Sequence, residues 1–172
     1  ILDRAGWVRG RDGIRAKDGV RLRFIFQTSV NAPRQRVQAV YKQAAQRAGI
    51  DLELKSVVAS VFFSSDVANP DTFTKFWADA QMFTTTMPQA DPQLFMNQFV
   101  SWEISSRANS WQGRNMVRWR SEEYDRIFRE SESELDPVKR AALFIRMNDL
   151  AVSSNHIIPV VRRPRVRASL NN

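Results

Sequence analysis

The 172-residue chain is 43% hydrophobic and 26% charged, a balance that predicts one globular domain with a core of its own. It has no cysteine and one histidine, His156, which excludes disulfides, thiol nucleophiles, thiolate metal sites and multi-histidine zinc centres. The net charge of +8 is unevenly spread, with 12 basic against 5 acidic residues over 1–60, 7 against 12 over 61–136 and 7 against 1 over 137–172. Such an excess can mark a nucleic-acid or anionic-membrane partner, and equally an exported protein or a piece of a larger chain that balances it; the arginines are scattered rather than gathered into runs, which counts against nucleic acid.

Residues 1–5 read as the last turn of a helix stopped by Gly6. Asp12-Gly13 and Asp18-Gly19 are turn signals. Residues 20–27 alternate, with Val20, Leu22, Phe24 and Phe26 on one side and Arg21, Arg23, Ile25 and Gln27 on the other. That period of two predicts a strand, hairpinned to 14–17. A polar loop is expected over 28–32. Pro33 opens a helix in which Val37, Val40, Tyr41, Ala44, Ala45 and Ala48 form one apolar stripe, and Gly49 ends it. Leu52 and Leu54 then alternate with Glu53 and Lys55 in a second strand running to about residue 58. Strand, helix, strand is the βαβ unit of a mostly parallel sheet.

Residues 59–76 are aromatic and rich in turns, and 78–84 predict a third strand followed by a loop over 85–90. Asp91-Pro92 has the form of a helix cap followed by proline, predicting a short helix over 91–100. Residues 101–120 read as irregular and hold Trp102, Trp111 and Trp119. Ser121 caps a helix whose first turn carries Glu122 and Glu123 and whose buried face is Tyr124, Ile127 and Phe128. Asp136-Pro137 starts another, to about residue 152. Residues 157–161 predict a short strand, at an edge because of Pro159, before a tail with Arg162, Arg163, Arg165 and Arg167. Every apolar run is too short to span a membrane.

Chemistry-bearing motifs are scarce. The chain has no phosphate-cradling glycine loop, no Gly-x-Ser-x-Gly and no spacing suited to a metal. The carboxylate pairs Glu122/Glu123 and Asp66/Asp71 read as a helix start and turn residues, and His156 as a structural histidine.

An ordered set of short features runs along nearly the whole chain. It comprises Ala5-Gly6-Trp7, Ala48-Gly49-Ile50 with Asp51-Leu52-Glu53-Leu54, Asp91-Pro92, Asn115, Glu123-Tyr124-Asp125, Asp136-Pro137-Val138-Lys139-Arg140 and Ile158-Pro159. This set resembles the C-terminal lobe of the extracellular solute-binding proteins of family 5, the dipeptide, oligopeptide and nickel receptors of ABC importers. The resemblance implies an α/β fold, a partial lobe of the periplasmic binding protein type II-like fold with a mixed sheet flanked by helices. Residues 1–172 would form a single unit within that lobe. It further implies non-covalent capture of a peptide or other small ligand between two lobes, without enzymatic activity, cofactor or metal. The implied partners are permease subunits in the inner membrane and the N-terminal lobe of the same full-length chain, with no nucleic acid. The implied location is the periplasm, with the export signal outside this sequence.

Open α/β sheets place ligands beyond the carboxyl ends of their strands. Two loops meet that rule. The first spans 27–34 and offers Gln27, Thr28 and Arg34; the second spans 84–90 and offers Thr84, Thr85, Thr86 and Met87. Thr84–Thr86 can donate and accept hydrogen bonds, and Met87 is an adaptable apolar contact. An ordinary polar connection is the alternative for the second loop; Arg34 and Arg36 could meet an anionic ligand end near a helix N-terminus, with solvated side chains as the alternative. Asn115 matches a recurrent asparagine near the family's cleft, or else forms a turn. The three tryptophans could stack on a ligand or pack in a core. In the peptide-binding branch the loop before Asp-Pro carries a Trp and an Asp that pairs the ligand's α-amino group. Gap-free counting puts Thr85 and Pro88 at those positions. Two other readings stay open at this point: a basic nucleic-acid-binding domain and a standalone α/β domain.

Overall fold

In the computed structural model, which describes residues 1–162, the chain opens with a turn whose left-handed end is Gly6. A small antiparallel sheet follows, made of β1 (Val8–Arg9), β2 (Arg15–Lys17) and β3 (Val20–Arg21) in the order β1-β2-β3. Asp18 and Gly19 join β2 to β3 with φ of 50° and 79°. Two consecutive left-handed residues form the hairpin turn whose twist suits antiparallel strands, which is why Asp-Gly announced it.

The strand expected over 20–27 is two strands in two sheets. β4 (Arg23–Ser29) belongs to a parallel sheet with β5 (Asp51–Val57) and β6 (Ala80–Met82), ordered β5-β4-β6. Leu22 is the pivot. Its N–H donates to Arg15 O in the first sheet at 2.8 Å, and its carbonyl accepts from Asp51 N beside the second at 2.9 Å. The mixed strand directions are thus divided between two sheets. The third strand is shorter than the seven-residue segment expected, and the polar loop after β4 starts later, because Thr28 and Ser29 are buried inside the strand.

β4 and β5 are linked by α1 (Ala32–Ala48), giving the predicted βαβ unit. Asn31 Oδ1 accepts from Arg34 N, Pro33 sits in the first turn, and Gly49 (φ 80°) closes the helix. The apolar stripe is only partly used. The buried point of α1 is Gln38, whose Nε2 donates to Phe26 O at 2.7 Å, whereas Val40 remains 66% exposed and Ala44 and Ala48 face outward. A buried amide that meets a strand carbonyl costs little, so this hydrogen bond anchors the helix on the sheet beside the Phe26–Tyr41 ring contact at 5.8 Å.

The main core lies elsewhere. Three helices make most of it, α3 (Gln93–Met96), α4 (Glu122–Ser133) and α5 (Pro137–Ser153), with Val100 and Trp119 added from the connections. A one-turn helix, α2 (Ala59–Phe62), follows β5. Met96, Val100, Trp119, Tyr124, Ile127, Phe128, Phe144, Met147 and Ala151 form one buried cluster. Tyr124 is fully buried, donates its hydroxyl to Met96 O at 2.8 Å, and burial raises its phenol pKa above the ordinary value. The caps of α4 and α5 are those expected: Ser121 accepts from Tyr124 N, and Asp136 from Val138 N and Lys139 N. The helix expected over 91–100 is α3 continued by a 3-10 turn, Asn97–Phe99. The strand expected over 157–161 does not form. A strand exists through its neighbours, and none of the described residues pairs with this segment, in which Pro159 has no N–H to offer.

Asp91 ties α3 to α5. Its carboxylate accepts from Gln93 N at 2.8 Å and from Arg140, at 2.5 Å (Nη1) and 3.3 Å (Nη2). The Arg140 hydrogen bonds, then the Gln93 amide, hold its pKa below the usual carboxylate value. The contribution is therefore complete above the unfolded-state value of about 3.9 and is lost as pH falls through the lower folded-state value. Arg140→Met is expected to flatten the acid limb of stability. Thermal melts from pH 5 down to about pH 2.5 should show a smaller drop in Tm for the variant than for the parent; an unchanged slope would mean that the pair contributes nothing.

Candidate functional site

All three strands of the parallel sheet end on the same side, and the segments that follow β5 and β6 help to build an open cavity of about 450 Å³. After β4 the chain turns at Val30 into α1; after β5 it enters α2 and Phe63; after β6 it runs through 83–90. The far side is made by α3 and the segment 112–116, which belong to the helical half of the molecule.

One wall is aromatic. Phe63, Phe73 and Phe83 stand edge to face, with ring centroids 5.4 Å (63–73) and 5.5 Å (73–83) apart, and Phe95 faces them from α3. Edge-to-face packing fixes such rings in position beyond what burial alone does. The rim is polar, with Thr84, Thr85 and Thr86 exposed and lining the cavity together with Pro88. Gln98, Gln112, Gly113 and Arg114 complete the opposite side.

Arg34 joins the two loops singled out in the sequence. Its Nη1 donates to Ser29 Oγ, its Nη2 to Thr84 Oγ1 at 3.3 Å, and its guanidinium lies 5.8 Å from the Phe63 ring centroid. The loop after β4 and the loop after β6 are therefore one surface. Gln27 and Thr28 lie behind it. Gln27 Nε2 donates to Asp71 O and its Oε1 accepts from Gln81 at 3.1 Å, while Thr28 Oγ1 donates to Met82 O at 2.5 Å. Both are buried and hold the sheet together, so neither meets a ligand directly in this conformation. Met87 is 53% exposed but does not line the cavity; Pro88 does.

Asn115 is fully buried. Its Nδ2 donates to the carbonyls of Phe99 (3.3 Å), Val100 (3.0 Å) and Trp119 (2.9 Å). Its backbone pairs with 103–105, through Asn115 N to Glu103 O at 2.8 Å and Ser105 N to Asn115 O at 3.1 Å. The side chain therefore braces the cavity's far side rather than facing into it, close to the turn-forming role that was the alternative. The tryptophans divide. Trp119 is in the core, Trp102 lies edge-on to Phe128 with Arg129 over its ring at 4.8 Å, and Trp111 sits against Trp77. None of the three lines the cavity. The cavity's aromatic lining comes instead from phenylalanines, Phe63, Phe73, Phe83 and Phe95. Among the described residues, no group of three His, Asp or Glu is placed to hold a metal ion.

Comparison with solved structures gives the fold. In fold, this chain matches part of an oligopeptide-binding protein. The match to the oligopeptide binding protein of Thermus thermophilus, complexed with a pentapeptide, has a TM-score of 0.76 at 22% identity and covers 90% of this chain and 27% of that one. The oligopeptide-binding protein AppA of Bacillus subtilis, in complex with a nonapeptide, gives 0.71 at 22% identity, covering 90% and 29%. NikZ of Campylobacter jejuni, in complex with Ni(L-His), gives 0.68 at 18% identity, covering 86% and 28%. The chain thus spans a little over a quarter of the length of each. No family model matches the sequence, and no curated protein does. The expected α/β architecture, part of a binding protein of this type, is the fold found.

Proposed function

We propose that the chain supplies one wall of the ligand site in the substrate-binding component of an ABC-type importer, and that the ligand is a peptide. Residues 1–172 would act as one unit of the receptor's C-terminal lobe, with an N-terminal lobe closing over the ligand, permease subunits receiving it, and a periplasmic location. The cavity beyond the carboxyl ends of β5 and β6 carries this reading, because it occurs in a fold shared with peptide-bound proteins. Its chemistry fits capture without reaction. Aromatic rings offer apolar area, and the three threonines can pair with peptide N–H and C=O groups.

One wall buries only part of a ligand, so the chain alone should bind weakly. Fluorescence anisotropy of labelled mixed-sequence pentapeptides is expected to give saturable binding in the millimolar range that varies little with salt. Binding confined to a labelled DNA duplex, falling steeply as salt is raised, would replace this reading with the basic-domain one.

A further inference from the structure

The cavity wall is electrically one-sided. Among the described residues that line it, none is a carboxylate, and one, Arg114, carries a full charge. Arg114 is exposed and forms no ion pair with any described residue. Its guanidinium makes a single long contact, Nη1 to Leu94 O at 3.5 Å. The nearby carboxylate of Glu103 accepts from the backbone N–H of Arg114 at 3.3 Å and lies outside the cavity lining. The guanidinium therefore keeps most of its five donors for a ligand, in a fork that suits a carboxylate. Beside it are the rings of Phe63, Phe73, Phe83 and Phe95.

We infer that this wall selects the carboxylate-bearing, apolar end of its ligand and disfavours a cationic amino end, with Arg114 as the specificity-determining residue. The inference rests on the peptide-site reading above and adds a polarity to it. A carboxylate within reach of Arg114 gains charge-assisted hydrogen bonds, while its neighbouring side chain is buried against the rings. An ammonium in the same place meets a like charge and finds no carboxylate. Because Arg114 is exposed, solvent screens the pair, and the discrimination is expected to be about fivefold rather than hundreds.

Two probes of one size separate the ends: N-acetyl-L-phenylalanine, with a carboxylate and no amine, and L-phenylalaninamide, with an amine and no carboxylate. Each is titrated into the isotope-labelled chain at mildly acidic pH, where both are charged, and backbone amide shifts are followed. Shifts at Thr84–Thr86, Gly113 and Arg114 are expected from the acetylated acid at about one-fifth the concentration the amide needs. Arg114→Gln should bring the two probes level, Arg114→Lys should keep part of the preference, and high salt should erode it. Arg114 is exposed, and unchanged shifts elsewhere would show that both variants are folded. Equal or reversed preference in the parent chain overturns the inference and leaves the peptide-site reading standing. Absence of cavity shifts with either probe overturns both.

Discussion

Asn115→Ala is expected to destabilise the chain by about 4 kcal/mol, because it removes buried hydrogen bonds and takes away the side-chain donor of the Phe99 and Trp119 carbonyls, while Val100 O keeps the Glu103 N–H. Two amide hydrogens of Asn115 are shared among three carbonyls, those of Phe99, Val100 and Trp119, at 2.9–3.3 Å. The residue is wholly buried, so water cannot take over without opening the core. Each net hydrogen bond contributes about 1 kcal/mol, and each buried carbonyl left unpaired costs about 1–3 kcal/mol more. Against a typical domain stability of about 5–15 kcal/mol this is a large fraction. Asn115→Leu separates the causes. It restores volume but no donor, so urea denaturation should place it close to the alanine variant. If leucine instead restores parental stability, packing and not hydrogen bonding is what the residue supplies.

Gly113→Ala should cost about 3 kcal/mol, at the upper end of what overpacking does in a closed site. An added Cβ would stand 2.3 Å from Glu103 O, 2.6 Å from Ser105 N and 2.7 Å from Ile104 C. All three are backbone atoms, so no side chain can swing away. Relief requires moving 103–105 away from 113–115, and that breaks the pairing of Asn115 with Glu103 and Ser105. The glycine is needed for space, since its φ lies outside the left-handed region. Gln112→Ala, one residue away and exposed, should change stability by no more than about 0.5 kcal/mol. A Gly113→Ala variant with the same midpoint as Gln112→Ala would show that the strand-like contact between 104 and 115 is not formed in solution.

These two residues also show where sequence reading stops. The starts of α4 and α5 were legible because caps are local: Ser121, Asp136 and Pro137 act within three residues of themselves. The βαβ unit was legible for a similar reason, Pro33 and Gly49 marking the ends of α1 to within a residue. Leu22 was not, because alternation runs straight through it, and only the partners of its N–H and C=O assign the residues on either side to different sheets. The strand expected over 157–161 depends on a neighbour that the pattern cannot supply. Within the site, Thr84, Thr85 and Thr86 followed from the rule that ligands meet strand ends, and they do line the cavity. The phenylalanine wall did not follow, since an aromatic beside a strand reads alike whether it lines a cavity or fills a core. Asn115 is the same problem in polar form. Its amide is equally suited to a ligand or to three carbonyls, and only the fold shows which it meets.

The most direct test of the cavity as a peptide site maps a pentapeptide mixture onto the chain by amide chemical-shift perturbation at millimolar concentration. Shifts should concentrate at Thr84–Thr86, Gln98, Gly113 and Arg114, with the outward face of α1 around Val40 silent. Shifts confined to the exposed Trp77 with its neighbour Trp111, or to Trp102, with the cavity unperturbed, would contradict it.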